Sequence, residues 1–202
     1  MIISGPFIVL DKLPYRESAL LLRGVSPDYG RISFVLHGAQ TAKRPAADLY
    51  RELEIEFEDR EKLQELYTAK KAEILTDFSP LAEHHKSFLM AGKIAAFLLS
   101  NMAAGVAQPY TYDSLRSVFA NLALAGSGGE WSLVQCSVVI KTAFLYENGM
   151  LPEGTSMEQN EFLENLVAAG IDNSPLPECP EKYYEAINSW LNSLIKYHQL
   201  KY

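Results

Sequence analysis

The sequence predicts an α+β chain of two domains, a small β-barrel over residues 1–78 followed by an α-helical domain over residues 79–202. Three observations carry this. The stretch from Tyr15 to Ala39 reads as two strands around Pro27-Asp28-Tyr29-Gly30, where proline presets φ, the carboxylate bonds locally and glycine permits a tight bend. Leu53, Ile55 and Phe57 alternate with Glu52, Glu54, Glu56 and Glu58, which is the period of a half-buried strand with an acidic outer face. Past Asp77 to Pro80 the apolar residues take up helical spacing and keep it to the end of the chain.

In order, Phe7 to Leu13 is a first strand ended by Pro14, and the hairpin follows. After its turn Ile32, Phe34 and Leu36 alternate with Arg31, Ser33, Val35 and His37, so one face enters a core and the other stays mostly polar. Gln40 to Ala47 lacks periodicity and forms a loop carrying Lys43 and Arg44. Beyond the glutamate strand, a turn around Asp59 to Lys62 leads to a fifth strand, Leu66 to Leu75. Five strands in so short a span favour a closed or partly closed barrel, because an open sheet of this size leaves its edges unprotected.

A buried helix is expected from Lys86 to Met102, with Phe88, Ala91, Ala95, Leu98 and Leu99 on one side. The next begins near Asp113 as N-cap and carries Leu115, Val118, Phe119 and Leu122 inward. Ala125 to Gly129 breaks the pattern, and a third helix runs from Trp131 to Asn148, stopped by Gly149. A shorter helix, Ser156 to Ala169, opens on a Ser156/Gln159 capping box and closes at Gly170. Pro175, Pro177 and Pro180 mark a loop, and Tyr183, Ile187, Trp190, Leu191, Leu194, Ile195 and His198 pattern the last helix. Trp131 and Trp190 lie at helical spacing and read as core residues.

An apolar fraction of 48% is ample for packed cores in 202 residues. Cys136 and Cys179 are far apart in sequence, so neither a disulfide framework nor a cysteine metal site is expected, which suits a reducing cytoplasm. The start has no basic leader region and the longest apolar run, near Ile94 to Leu99, is too short for a bilayer; neither a signal peptide nor a membrane span is expected. No phosphate-binding glycine loop, dinucleotide fingerprint, zinc helix motif or nucleophile elbow occurs, so the chain reads as no enzyme, with no cofactor and no metal. His84 and His85 follow Glu83, but adjacent side chains on a helix diverge, and a solvated helix entry is the better account.

A net charge of −7 argues against a general nucleic-acid binder, yet up to Arg51 the basic residues outnumber the acidic ones. Two readings of that basic set stay open at this level. One is a solvated barrel surface with Arg23 and Arg31 neutralised by the acidic strand. The other is an OB-like groove for single-stranded nucleic acid, with Tyr15 and Tyr29 nearby and Phe34 assigned to the core.

Tyr15-Arg16-Glu17-Ser18 before an apolar strand, then Gly30-Arg31-Ile32, His37-Gly38-Ala39 and Lys43, resembles the amino-terminal OB-fold of the RecO family of bacterial DNA repair and recombination proteins. Ile140 to Pro152 is similar to that family's apolar helix ending in a G-Y-x-P turn, and the closing WLNSLIKYHQL to its carboxy-terminal helix. The resemblance implies a cytoplasmic, nucleoid-associated bacterial mediator that binds single-stranded DNA, anneals strands and helps load RecA with RecR and single-strand-binding protein (SSB). It implies DNA contacts from Arg16 and Arg31 with Lys43 and Arg44, to which Arg23 is added from its place beside the hairpin turn. For the acidic SSB C-terminal tail it asks for an apolar pocket with a basic rim, for which Arg116 and Lys141 are the candidates. The chain departs from the family pattern at Gln40, where arginine is common, at Lys141, where glutamate is usual, and in lacking a four-cysteine zinc module. The alternative is a protein-interaction adaptor of the same fold with little or no DNA binding of its own.

Overall fold

The computed structural model describes residues 1–39, 47–58, 66–124, 130–154 and 156–201. The strands come first: β1 (Ile2–Tyr15), β2 (Ala19–Ser26), β3 (Gly30–Leu36), β4 (Arg51–Glu58) and β5 (Tyr67–Asp77). They close into a barrel in the order β1-β2-β3-β5-β4, with β3 and β5 parallel and the other neighbours antiparallel. This is the five-stranded Greek-key barrel of an OB fold.

β1 is longer at both ends than its apolar run suggests, because one strand serves two neighbours. Ile2 to Ile8 faces β4, and Ile8 to Tyr15 faces β2, with a register shift between Val9 and Asp11 where the strand bends from one to the other. Pro14 does not end it, but sits opposite Leu20 close to the turn. The bend requires a glycine on β2: a Cβ on Gly24 would lie 1.9 Å from the Ile8 carbonyl oxygen. Phe7, Leu22, Phe34, Leu53, Ile55 and Phe57 fill the barrel, and Phe34 meets Phe7 and Phe57 edge-on with ring centroids 5.0 Å apart in each pair.

After a 3₁₀ turn (Ser79–Glu83) come α1 (His85–Asn101), α2 (Pro109–Ala123), α3 (Leu133–Glu147), α4 (Met157–Asp172) and α5 (Glu181–Tyr197). The chain forms two compact units, one of residues 1–79 with 101–108, the other of 80–100 with 109–202. The return of residues 101–108 to the first unit has a backbone cause. β5 pairs with β3 only from Phe34 to Leu36, leaving the start of β3 without a strand on that side. There Arg31 N–H donates to Ala103 O at 3.2 Å, Gly105 N–H to Tyr29 O at 2.8 Å and Gln108 N–H to Pro27 O at 2.8 Å, so the segment closes an otherwise open edge.

In the second unit α3 is central, buried without interruption from Cys136 to Leu145. It starts at a reciprocal Ser132/Gln135 capping box, two residues after Trp131. α2 starts at Pro109, ahead of the expected Asp113, because a distant side chain caps it: the Glu147 carboxylate accepts from Tyr110 N–H at 2.9 Å and Thr111 N–H at 2.8 Å. α4 runs through Gly170 to a left-handed Asn173, and the glycine marks a close helix contact, since a Cβ there would lie 2.6 Å from Ser114 Oγ. Trp131 is core, as expected, at 6% exposure, whereas Trp190 is 37% exposed, because Tyr184, Leu191 and Ile195 make the inward face of α5. Cys136 and Cys179 are both free thiols.

Candidate nucleic-acid interface

Alternation on β2 and β3 decides which side chains face outward. Leu20, Leu22, Ile32 and Phe34 enter the core, so Arg23 on β2 and Arg31 and Ser33 on β3 face away from it. The register pairs Arg23 with Ser33 and Val25 with Arg31, which makes the two arginines diagonal neighbours on one outer face. Arg16 stands in the turn between β1 and β2, at the far end of the same strand pair, its guanidinium 5.3 Å from the centre of the Tyr15 ring. At the rise of a strand, the span from Ala19 to Val25 puts Arg16 about 20 Å from Arg31. Arg23 and Arg31 thus share one strand pair and Arg16 stands in the turn that leads into it, all three exposed. Lys43, Arg44 and Gln40 lie outside the described residues.

The charge of Arg23 is already answered. Asp11 on β1, its register partner, accepts from its Nε at 2.7 Å and from a terminal guanidinium nitrogen. Neutralisation therefore comes from β1 and not from the glutamate strand, which the barrel order separates from β2 by β1 on one side and by β3 and β5 on the other. On β4 the glutamates have local partners: Ser4 Oγ donates to Glu54 at 2.6 Å, and Thr76 Oγ1 to the buried Glu52 at 2.8 Å. Lys12 pairs with Asp48 at 2.6 Å and Arg51 with Asp77 at 3.1 Å. Partial burial pushes the Asp48 carboxyl up, but Lys12 and the Leu49 N–H outweigh it and hold the group below its ordinary range.

Aromatic surface is scarcer than charge. Phe34 is core at 1% exposure, as expected. Tyr29, half-buried and edge-on to Phe57 at 5.6 Å, helps to line an apolar cleft of about 240 Å³ at the end of the barrel, with Ile3, Pro6, Ser26 and Asp28 on its walls. The acidic Asp28 makes that cleft a poor phosphate site.

The two candidates for a partner rim differ. Arg116 is exposed on α2, 3.9 Å from Asp113. Lys141 is 6% exposed and held in the α3–α5 contact, donating to Asn188 Oδ1 at 2.8 Å and Asn192 Oδ1 at 2.7 Å. Burial, and then the nearby charge of Lys93, push its pKa down to about 8. The structure thus places Lys141, expected at a partner rim, in a buried position where its ammonium bonds two asparagines of α5. Among the described residues no group of three or more His, Cys, Asp or Glu has the arrangement of a metal site, and no helix is long and apolar enough to cross a membrane.

Sequence reasoning missed Asp11, whose signal is its strand register, and the segment 101–108, whose contacts are backbone to backbone and leave no side-chain signature.

Residues 1–78 match the family model described as Recombination protein O N terminal. The chain is also similar to a DNA repair protein RecO from Mesoplasma florum, 23% identical over 158 residues, covering 69% of this chain and 59% of that protein. The match thus spans less than two thirds of the relative's length.

Proposed function

We infer from the match of residues 1–78 to the Recombination protein O amino-terminal model that the chain is of the RecO family, with a role in DNA repair and recombination as a mediator without bond chemistry of its own. The barrel binds single-stranded DNA along the outer side of β2 and β3. The observation that carries this is the placing of Arg23 and Arg31 as diagonal neighbours on that strand pair, with Arg16 in the turn that leads into β2, away from the glutamates of β4. Strands 2 and 3 are also the side on which OB folds take oligonucleotides. Lys43 and Arg44, which follow β3 in the sequence and lie outside the described residues, are proposed as further phosphate contacts. Annealing of complementary strands, joint work with RecR and capture of the acidic SSB tail near Arg116 complete the proposal, with loading of RecA as the outcome.

Phosphate contacts of this kind release counterions, so affinity falls steeply with salt. Fluorescence anisotropy of a labelled oligonucleotide at low and moderate salt tests the reading, with an Arg16→Ala/Arg31→Ala variant beside the wild type. Binding absent at low salt, unchanged at high salt, or equal in the two proteins ends it.

A second reading, an adaptor with little DNA affinity, is favoured by the Asp11 carboxylate on Arg23 and by the net charge of −7. Its mark is capture of RecR or SSB by wild type and by Lys43→Ala/Arg44→Ala alike, with no DNA retained by either.

A further inference from the structure

One face of α5 is only partly covered by the fold. Tyr183, Ile187, Trp190, Leu194 and Tyr197 recur at alternating intervals of four and three residues, the spacing of a helix-packing seam. This seam is offset from the inward face of Tyr184, Leu191 and Ile195. Its three aromatics are open to solvent, Tyr183 at 55%, Trp190 at 37% and Tyr197 at 79% exposure, while Ile187 and Leu194 are half-buried. None of its five positions is charged, and Lys182 borders its amino-terminal end with its ammonium 5.7 Å from the centre of the Tyr183 ring. Ser193, beside it, donates its hydroxyl to Ser189 O at 3.1 Å, and Ser189 in turn to Glu185 O at 2.9 Å, so both hydroxyls are satisfied within the helix and ask nothing of water. An apolar aromatic stripe of this length on a soluble surface marks an interaction site.

We propose that this face of α5 pairs antiparallel with α5 of a second copy of the chain, about a two-fold axis at Trp190. Two properties select that occupant. The stripe is symmetric: Tyr183 and Tyr197 stand seven residues to either side of Trp190, and Ile187 and Leu194 three and four. A two-fold interface needs this self-complementarity, because residue i meets j and j meets i. Antiparallel pairing lays Tyr183 on the partner's Tyr197, Ile187 on its Leu194, and Trp190 on itself. The ends are also complementary in charge. Glu178, Glu181 and Glu185 outnumber Lys182 at the amino-terminal end of α5, whereas Lys196 and Lys201 flank its carboxy-terminal end. An antiparallel pair sets acidic end beside basic end and opposes the two helix dipoles, while a parallel pair would bring like ends together.

Sedimentation or light scattering of the full chain over a concentration series reads the association. Wild type is expected to move reversibly towards twice the mass of one chain. Trp190→Glu is expected to stay at one chain's mass with an unchanged circular dichroism spectrum, and Tyr197→Glu, at a residue 79% exposed, is expected to do the same with an unchanged melting temperature. Mixing Tyr183→Cys and Tyr197→Cys chains, each with Cys179→Ser, under oxidation is expected to give the mixed cross-link in preference to either self-pair. The proposal is overturned if wild type stays monomeric throughout, if Trp190→Glu still dimerises, or if the self-pairs dominate. A monomer whose Trp190→Glu variant loses affinity for an oligonucleotide or for an acidic amphipathic peptide would give the stripe to that ligand instead.

Discussion

Arg23 and Asp11 face each other across the β1–β2 register, with Asp11 Oδ2 accepting from the arginine's Nε at 2.7 Å. The pair holds one of the three arginines to the barrel and cancels its charge. On the proposed reading a phosphate approaching Arg23 would compete with that carboxylate, and Asp11 would act as a brake on DNA affinity. Asp11→Asn removes the charge and keeps the shape, so it is expected to tighten binding to a labelled oligonucleotide several-fold. It should also steepen the plot of log affinity against log salt by about one counterion's worth. Unchanged affinity would mean that DNA does not reach Arg23.

Gly30 and Gly38 provide a paired test of the hairpin. Both adopt positive φ, +59° and +71°, but a Cβ on Gly30 would lie 2.4 Å from Ala103 O and 2.5 Å from Val106 O, whereas Gly38 has nothing within 4 Å. Gly38→Ala therefore carries only the backbone penalty of about 1 kcal/mol. Gly30→Ala adds the clash with the returning segment and is expected to cost about 2–3 kcal/mol by urea unfolding. Equal losses at the two positions would show that residues 101–108 yield easily.

Most of this barrel is legible in the sequence because its signals are local. The alternation of Leu53, Ile55 and Phe57 with glutamates, and Gly30 closing a turn that begins at Pro27, report directly on strand faces and a bend. What could not be read depends on partners distant in sequence. The bulge that extends β1 exists because β2 and β4 share that strand, and Asp11 gains its meaning only from the register with Arg23. Trp190 shows the limit from the other side: helical spacing puts it on an apolar stripe, but periodicity does not say which of two adjacent stripes the fold buries. Lys141 is a further case, since a cation in an apolar helix reads as a surface contact until Asn188 and Asn192 are seen to receive it.

The start of α2 depends on Glu147, thirty-seven residues from Tyr110. Its two oxygens accept from the first free N–H groups of that helix, doing what an N-cap side chain does from within. Glu147→Ala leaves both donors without that acceptor and takes a negative charge from the helix's positive end. The expected cost is about 1–2 kcal/mol in urea unfolding, with Glu147→Gln losing less because one oxygen remains. A loss for Gln as large as for Ala would assign the effect to charge and not to hydrogen bonding.

Lys141 makes stability depend on alkaline pH, and the sign follows from its burial. Its pKa is pushed from 10.5 down to about 8 in the folded protein. Below about 8 both folded and unfolded chains carry the proton, and the cost of burying an ammonium is present in full. Between about 8 and the ordinary lysine value the unfolded chain holds a proton that the folded chain has released, so stability from this group rises with pH. Lys141→Met removes the titration while keeping the length of the side chain. The difference in urea midpoint between variant and wild type, measured just below pH 8 and again at about pH 9.5, should therefore shift in favour of wild type at the higher pH. A difference independent of pH would mean that Asn188 and Asn192 compensate the cation fully, and that Lys141 titrates as it would in water.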